Sequence, residues 1–417
     1  MSDRLYYADP SLSSFDARVS DIREVSRAQG RSLWQIALDR SAFYPTSGGQ
    51  PHDTGMLTAT SSGGALLEAP ILAVEEDEQG EVWHTTPKPL SAGTSVRGHI
   101  DWSRRRDHMQ QHSGQHVLSA AFVRALNMPT VSFHMGVESC SIDLDTKGLT
   151  AQQAETAEAL ANEVVTENRG VSIRFVTSAE AKELGLRKMP RAERDQLRLI
   201  DIDDFDLTAC GGTHVAATGQ IGAILLRKIE KVRQGWRVEF VCGKRAVGTA
   251  RRDYTTLAES AGLLSTHVWD VPEQVRKLQE ESKALKKSVE HSLAETADLY
   301  AVRILSETSE SGGRKVVVRV FPDRDLMFIK LLAQRLTRQS SSVVALLCAG
   351  ADSPSVVFAQ SMGQPFDVGT LMKEALGTLG GRGGGSKDMA QGGPARVEGI
   401  EAELNRIAAR LGDEQKL

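Results

Sequence analysis

Cysteine is scarce: four residues, Cys140, Cys210, Cys242 and Cys348, scattered through a chain of 417. That spacing excludes a disulfide scaffold. Long apolar runs are missing too. The longest, around Val343 to Ala351, is the length of a strand and falls short of the 18 or so residues a membrane span needs. The N-terminus, Met1-Ser-Asp-Arg-Leu-Tyr-Tyr, lacks the apolar core of a secretion signal. No tandem repeat at a fixed period is visible. With 40% hydrophobic and 25% charged residues, the chain reads as a cytoplasmic, soluble protein of two or three domains.

Net charge is only −4, but it is unevenly spread. Glu68 to Glu81 holds six acidic residues and no basic one, whereas Arg227 to Arg252 holds nine Lys/Arg against two Glu. Arg104-Arg105-Arg106 adds a smaller basic cluster. Mild overall acidity therefore does not exclude a nucleic-acid partner, since a basic stripe neutralises phosphates locally. Solvated surface charge explains the same pattern.

Residues 1–98 show short strand patterns, including Val19–Ser26 and Ser32–Asp39, punctuated by turn signals such as Ser61-Ser62-Gly63-Gly64. A small barrel-like β domain is expected there. Helical spacing takes over at Ser103–Leu126, which ends before Pro129, and a second helix is expected over Ala151–Asn168. Strands follow at Val171–Val176, Leu199–Ile202, Ala223–Lys231 and Trp236–Val241, making residues 99–253 an α+β unit. Between Tyr254 and Tyr300, apolar residues Val271, Val275, Leu278, Leu285 and Val289 are spaced 4, 3, 7 and 4. This predicts a helical hairpin or coiled-coil arm over 254–300, or a helix packed on its own domain. Residues 301–417 read as a separate α/β domain, with strands at Lys315–Phe321, Val343–Ala349 and Val356–Gln360. Its helices are expected at Asp325–Arg338, Leu371–Leu379 and Gly399–Leu411, with the glycine-rich stretch Gly380–Gly393 as a loop between the last two.

The sharpest chemical signal is His112-Ser-Gly-Gln-His116. Two histidines four apart on a helix share one face and can share a metal ion. Cys210-Gly-Gly-Thr-His214 supplies two more ligand types on a turn made tight by its glycines. Together they predict a His₃Cys zinc site, one ion per chain, with His108–His112 as an alternative pair. Cys140 and Cys242 have no partner at ligand spacing and are expected to be packing residues. Position 113 is Ser, so the glutamate base of an H-E-x-x-H metalloprotease is absent. A closed structural site and an open catalytic one both fit the spacing. Phe43-Tyr-Pro-Thr-Ser-Gly-Gly-Gln-Pro-His-Asp53 offers backbone N–H groups at Gly48 and Gly49, the Gln50 amide and the Thr46 hydroxyl, a set able to grip a small polar group; a plain β-turn would look the same. Ser132 and His134 are further candidates for lining a pocket. Arg382 and Lys387 lie in the glycine-rich stretch, which is no P-loop but could set cations beside RNA phosphates.

Phe-Tyr-x-x-x-Gly-Gly-Gln, then His-x-x-x-His, then Cys-Gly-Gly-Thr-His, in this order, resemble the editing domain of alanyl-tRNA synthetases and the free-standing alanyl-tRNA editing proteins. Gln110–Leu118, Asp206–Val215 and Thr218-Gly-Gln-Ile-Gly222 support the match, and Gly380–Gly393 resembles the DHHA1-type C-terminal domain of the same enzymes. The first residues already read as the editing β domain, with no class II aminoacylation domain before them. The resemblance therefore implies a long-form trans-editing protein, a zinc-dependent hydrolase that deacylates mischarged tRNA(Ala). Its chief substrate would be Ser-tRNA(Ala), with Gly-tRNA(Ala) a second candidate. It carries the zinc ligands over to His112, His116, Cys210 and His214, serine discrimination to Thr46, the glycine motif to Gly48 and Gly49, and a place near the editing centre to Gln50. Ser47 departs from the glycine found in many relatives. Arg382 and Lys387 gain a role at the tRNA, and a homodimer through the arm or C-terminal domain is a candidate assembly. A non-catalytic tRNA-binding module with structural zinc, and a zinc hydrolase of small esters or amides, remain the rival readings.

Overall fold

The computed structural model describes residues 2–28, 31–60, 64–188, 196–350, 354–395 and 398–413. It divides into two compact units, Met1–Glu259 and Ser260–Leu417, the division falling within the helix Gly243–Leu263. The class is mixed α+β, as expected. The Ser61–Gly63 part of the expected turn lies outside the described residues.

In the first unit, seven strands form an antiparallel sheet in the order Leu66–Ile71, Gly55–Thr60, Ser95–Ile100, Ser14–Ala28, Arg31–Leu38, Val82–Thr86, Ala73–Glu76. The long strand Ser14–Ala28 joins its halves, pairing with Ser95–Ile100 through Ser14–Arg18 and with Arg31–Leu38 from Val19 onward. Register shifts at Val19/Asp21 and Glu24/Ser26 mark irregularities that bend it. Ser95–Ile100 alternates exposed and buried residues with period two, and its inward positions join Phe15, Ile36, Phe43 and Leu57 in one core.

The helix Trp102–Leu126 follows directly. Asp101 caps its start by accepting from the Arg104 N–H, and Asn127, left-handed at φ 53°, ends it. Every residue from His108 to Phe122 is buried, so this helix is enclosed on all sides. Around it pack the helix Ala151–Glu167 and an antiparallel sheet ordered Thr130–Met135, Cys140–Leu144, Gly235–Cys242, Ile224–Val232. Gly114 lets the Cys242 strand approach; a Cβ there would stand 2.3 Å from the Cys242 sulfur. Gln111 fastens the same strand end, donating to the Cys242 carbonyl at 3.0 Å and accepting from its N–H at 2.8 Å. A third sheet, Val171–Thr177, Gln196–Ile202 and Asp206–Ala209, and a short parallel pair, Asp3–Arg4 with Arg40–Ser41, also belong to this unit.

The second unit contains the 37-residue helix Val271–Glu307 and a five-stranded sheet ordered Lys315–Phe321, Val343–Ala349, Ser355–Gln360, Met389–Gly393, Arg382–Gly385. Only the first two strands are parallel, connected across the helix Leu326–Gln339. Val343–Ala349 is buried at all seven positions because helices cover both faces. The segment 254–300 holds the end of the helix Gly243–Leu263, the short turn Val268–Asp270 and most of the helix Val271–Glu307. One expectation is corrected. The glycine-rich stretch is not a loop but an antiparallel hairpin at the sheet edge. Its glycines allow close packing, since a Cβ on Gly383 or Gly392 would stand 2.5 or 2.3 Å from Leu376 Cδ1. No described helix is long and apolar enough to cross a membrane.

Candidate metal centre

His112 and His116 project from the enclosed helix, one turn apart, toward the turn that follows the strand Asp206–Ala209. There Cys210 and His214 complete a group of four whose ligand atoms all lie within 4.8 Å of one another. It is the only such His/Cys/Asp/Glu group among the described residues, and His108 is not part of it. His108 is buried on the same helix, and burial pushes its imidazole down to about 4. Sγ of Cys210 stands 3.4 Å from Nε2 of both His112 and His214. A tetrahedral ion with bonds of about 2.3 Å to sulfur and about 2.0–2.1 Å to nitrogen would separate such atoms by about 3.5 Å. The four residues could hold a metal ion.

The local sequence explains the convergence. Gly212 is forced by the His112 ring, because a Cβ at that position would lie 2.2 Å from its Cε1. Arg198 donates to the Cys210 and Gly212 carbonyls at 2.7 and 3.0 Å, which fixes the turn from behind. Two of the three histidines are also held through Nδ1 by hydrogen bonds. His112 meets Gln50 Oε1 at 2.7 Å, and His214 meets Ser113 Oγ at 3.1 Å. His116 faces Asp206 Oδ2 at 3.5 Å, an electrostatic contact, and Arg187 in turn donates to Asp206 at 2.6 and 3.0 Å. Gln50 Oε1 also accepts from the Thr213 backbone N–H, so this atom is an acceptor and His112 Nδ1 must carry the proton. Nε2 of His112 then presents a lone pair to the group, the arrangement that second partners impose on metal-binding histidines.

Burial alone would raise the Cys210 thiol, but the surrounding imidazoles of His112, His214 and His116 hold it well below the usual thiol value. Burial pushes His214 down to about 3, against the pull of Cys210. For His116 burial is outweighed by the Asp206 carboxylate and Cys210, and its pKa is raised. Cys140 and Cys242 are buried packing residues; burial pushes Cys140 up to about 12 and Cys242 well above its ordinary value.

Ser47 and Gln50 pair across a two-residue turn in which Gly48 and Gly49 have φ of 58° and 86°, the left-handed pair such a hairpin requires. Gln50 is fully buried and also donates to Thr213 Oγ1 at 2.8 Å, so the turn is tied to the centre. Gly49 runs beneath Phe133, whose ring stacks on His112 at 5.5 Å. Thr46 is exposed and bonded to His52. Ser132 and His134 flank Phe133 on the same strand and so take its opposite face; the Ser132 hydroxyl donates to Asp143 at 2.7 Å. Arg382 and Lys387 are exposed in the hairpin of the second unit. Of the basic stripe, Arg227, Lys228, Arg237 and Arg245 pair with Asp253, Glu230, Asp143 and Asp107, while Lys231, Arg233, Lys244, Arg251 and Arg252 are exposed. Sequence reasoning missed Ser113, Phe133, Arg187, Arg198 and the supporting role of Asp206. Ser113 and Asp206 lie inside or beside the two ligand motifs, which is the one signal that could have flagged them.

The family model described as the threonyl and alanyl tRNA synthetase second additional domain matches residues 197–238. An alanyl-tRNA editing protein, AlaX-L, of Pyrococcus horikoshii is 29% identical over 98% of both chains. The alanine–tRNA ligase of Halobacterium salinarum is 32% identical over 99% of this chain, and that of Pyrococcus furiosus 30% over 98%. The chain spans only 44% and 43% of those two ligases. The solved C-Ala domain of the Aquifex aeolicus alanyl-tRNA synthetase is 20% identical, covering 25% of this chain and 96% of that one, with a TM-score of 0.24. Along nearly its whole length the chain is thus similar to the alanyl-tRNA editing proteins, the resemblance its three motifs predicted.

Proposed function

We propose that the chain is a cytoplasmic trans-editing hydrolase that deacylates mischarged tRNA(Ala), chiefly Ser-tRNA(Ala), with Gly-tRNA(Ala) as a second substrate. The observation that carries this reading is the Gln50 carboxamide, bonded both to His112 and to Thr213, which joins the glycine turn to the His/Cys group. A turn offering N–H donors beside a metal-binding group suits ester hydrolysis. Zinc, one ion per chain on His112, His116, Cys210 and His214, would supply Lewis-acid polarisation of the water or ester carbonyl.

In the reaction a water oxygen adds to the ester carbonyl carbon, the bond to the ribose oxygen breaks, and that oxygen takes the proton. The Gly48 and Gly49 N–H groups, on an exposed turn, serve the developing oxyanion. Thr46 accepts a hydrogen bond from the serine hydroxyl, so alanine leaves that partner unpaired. Ser132 and His134 border the acceptor end. Arg382 and Lys387, in a DHHA1-like domain over 301–417, contact tRNA phosphates. Residues 1–98 make the barrel-like domain and 99–253 the zinc-containing editing domain. Val275, Leu278, Leu285 and Val289 stay exposed on the 254–300 arm, a stripe suited to a homodimer.

One observation favours a second reading: four protein ligands fill a tetrahedral shell, as in structural zinc sites, which suits a non-catalytic tRNA-binding module. Single-turnover deacylation of Ser-tRNA(Ala), Ala-tRNA(Ala) and Ser-tRNA(Ser), with and without a chelator, separates the two. Rapid loss of serine from tRNA(Ala) alone is expected. Folded, zinc-loaded protein with no rate above buffer would leave only the binding module.

A further inference from the structure

His52 is partly exposed, yet it is held at four points. Its Nε2 meets the Leu72 carbonyl at 3.1 Å, its Nδ1 meets Thr46 Oγ1 at 3.0 Å, and its backbone N–H donates to the same Oγ1 at 3.2 Å. Its carbonyl accepts from Arg104 Nε at 2.9 Å. A carbonyl can only accept, so Nε2 carries the ring proton and Nδ1 of the neutral imidazole is an acceptor. The Thr46 hydroxyl must therefore give its single proton to His52. One of its lone pairs already takes the His52 N–H, which leaves one lone pair and no proton for anything else.

We infer that His52 is a positioning residue for specificity: it fixes the Thr46 hydroxyl as a pure acceptor, so that the site selects aminoacyl groups whose small side chain donates a hydrogen bond. The inference rests on the proposed role of Thr46 in reading the substrate side chain. It adds the chemical class that the reading leaves open. A side chain of serine's size that accepts without donating is handled as alanine is. The backbone bonds of Thr46 and His52, from the Thr46 N–H to the Val74 carbonyl and from Arg104 to the His52 carbonyl, do not involve the ring. Replacing the imidazole thus frees the Thr46 proton while the loop keeps those anchors.

The test measures kcat/KM for Ser-, Ala- and 3-fluoroalanyl-tRNA(Ala) with the full chain. Unmodified protein should clear the 3-fluoroalanyl ester at the alanyl rate; clearance as fast as serine overturns the inference without any variant. His52→Ala should lower the serine value by about tenfold, the worth of one hydrogen bond, and leave the alanine value unchanged. His52→Asn, which keeps an acceptor near the Nδ1 position, should recover most of the loss, as a merely structural role would not. Thr46→Val separates the two ideas. If it leaves the serine-to-alanine ratio unchanged, the Thr46 reading falls; if it collapses the ratio while His52→Ala does not lower it, only the His52 inference falls. Zinc content and melting temperature of each variant show whether folding is intact.

Discussion

Arg105 and Asp53 form an ion pair with both side chains fully buried, Nε of the arginine 3.0 Å from Oδ2 of the aspartate. Arg105 also donates to the Pro10 carbonyl at 2.8 Å and to that of Ala42, and Asp53 accepts from the Tyr44 N–H at 2.7 Å, so the buried charges are saturated. The pair is one of three rivets between the glycine-turn segment and the enclosed helix, with the Arg104 bond to the His52 carbonyl beside it and Gln50–His112 at the far end. From residue 105 to 112 the helix rises about 10.5 Å. From residue 50 to 53 an extended chain spans about 10 Å, so the rivets at the two ends are met together.

Truncating either partner strands the other charge in the interior. Arg105→Ala or Asp53→Ala should cost about 3–5 kcal/mol in denaturant unfolding, whereas breaking an exposed pair such as Lys228–Glu230 should leave the unfolding midpoint nearly unmoved. Equal costs for the two kinds of pair would contradict the burial argument.

Gln50→Ala removes the acceptor that fixes the His112 tautomer while leaving all four ligands. Zinc affinity, read by competition with a chromophoric chelator, should fall about 10–100-fold. Unchanged affinity would show that His112 needs no outer partner.

The two turn glycines should respond differently to alanine. At Gly48 a Cβ meets nothing within 4 Å, so Gly48→Ala carries only the left-handed backbone cost of about 1–2 kcal/mol. At Gly49 the same atom stands 2.9 Å from the Phe133 carbonyl oxygen and 3.1 Å from its ring. Gly49→Ala should therefore displace Phe133 from His112 and weaken zinc binding, and Gly48→Ala should not. Chelator competition and thermal melting on the two variants decide it.

His84 is fully buried, with Nδ1 on the Ile36 carbonyl at 2.9 Å and Nε2 on Ser41 at 2.7 Å, and burial pushes it down from 6.5 to about 4. Its unfolded form protonates first as pH falls, so stability is full above 6.5 and is lost between 6.5 and about 4. That loss is on the order of 3 kcal/mol. Asp206 and Asp143, held below the ordinary carboxylate value of 3.8, lose their contribution only at lower pH. His84→Gln should lower the slope of the stability profile between pH 6.5 and 4, a window it shares with buried His108; an unchanged slope would refute the assignment.

Much of this was legible beforehand. Helical spacing and Pro129 bracketed the helix Trp102–Leu126, and the ligand motifs named all four members of the cluster. What stayed hidden depended on contacts far apart in sequence. The helix gives no clear apolar face because its buried residues include Arg105, Gln110, Gln111 and the histidines; Arg105, Gln110, Gln111 and His112 are met by distant partners, whereas Nδ1 of His108 and of His116 has no hydrogen-bond partner among the described residues. The hairpin Arg382–Gly385 and Met389–Gly393 escaped notice because runs of glycine carry no side chains to alternate. Arg187 supports His116 only through Asp206, a two-step link no motif encodes.

The histidine partners also impose an order on assembly. Gln50 reaches His112 across 62 residues and Ser113 reaches His214 across 101, while Asp206 comes from the strand beside the cysteine turn. The full set of links closes only when the glycine-turn segment and the cysteine turn have both docked on the helix. The centre is therefore a keystone of the first unit, complete only where those segments meet. Losing the ion would loosen the seam where those segments meet, not one loop.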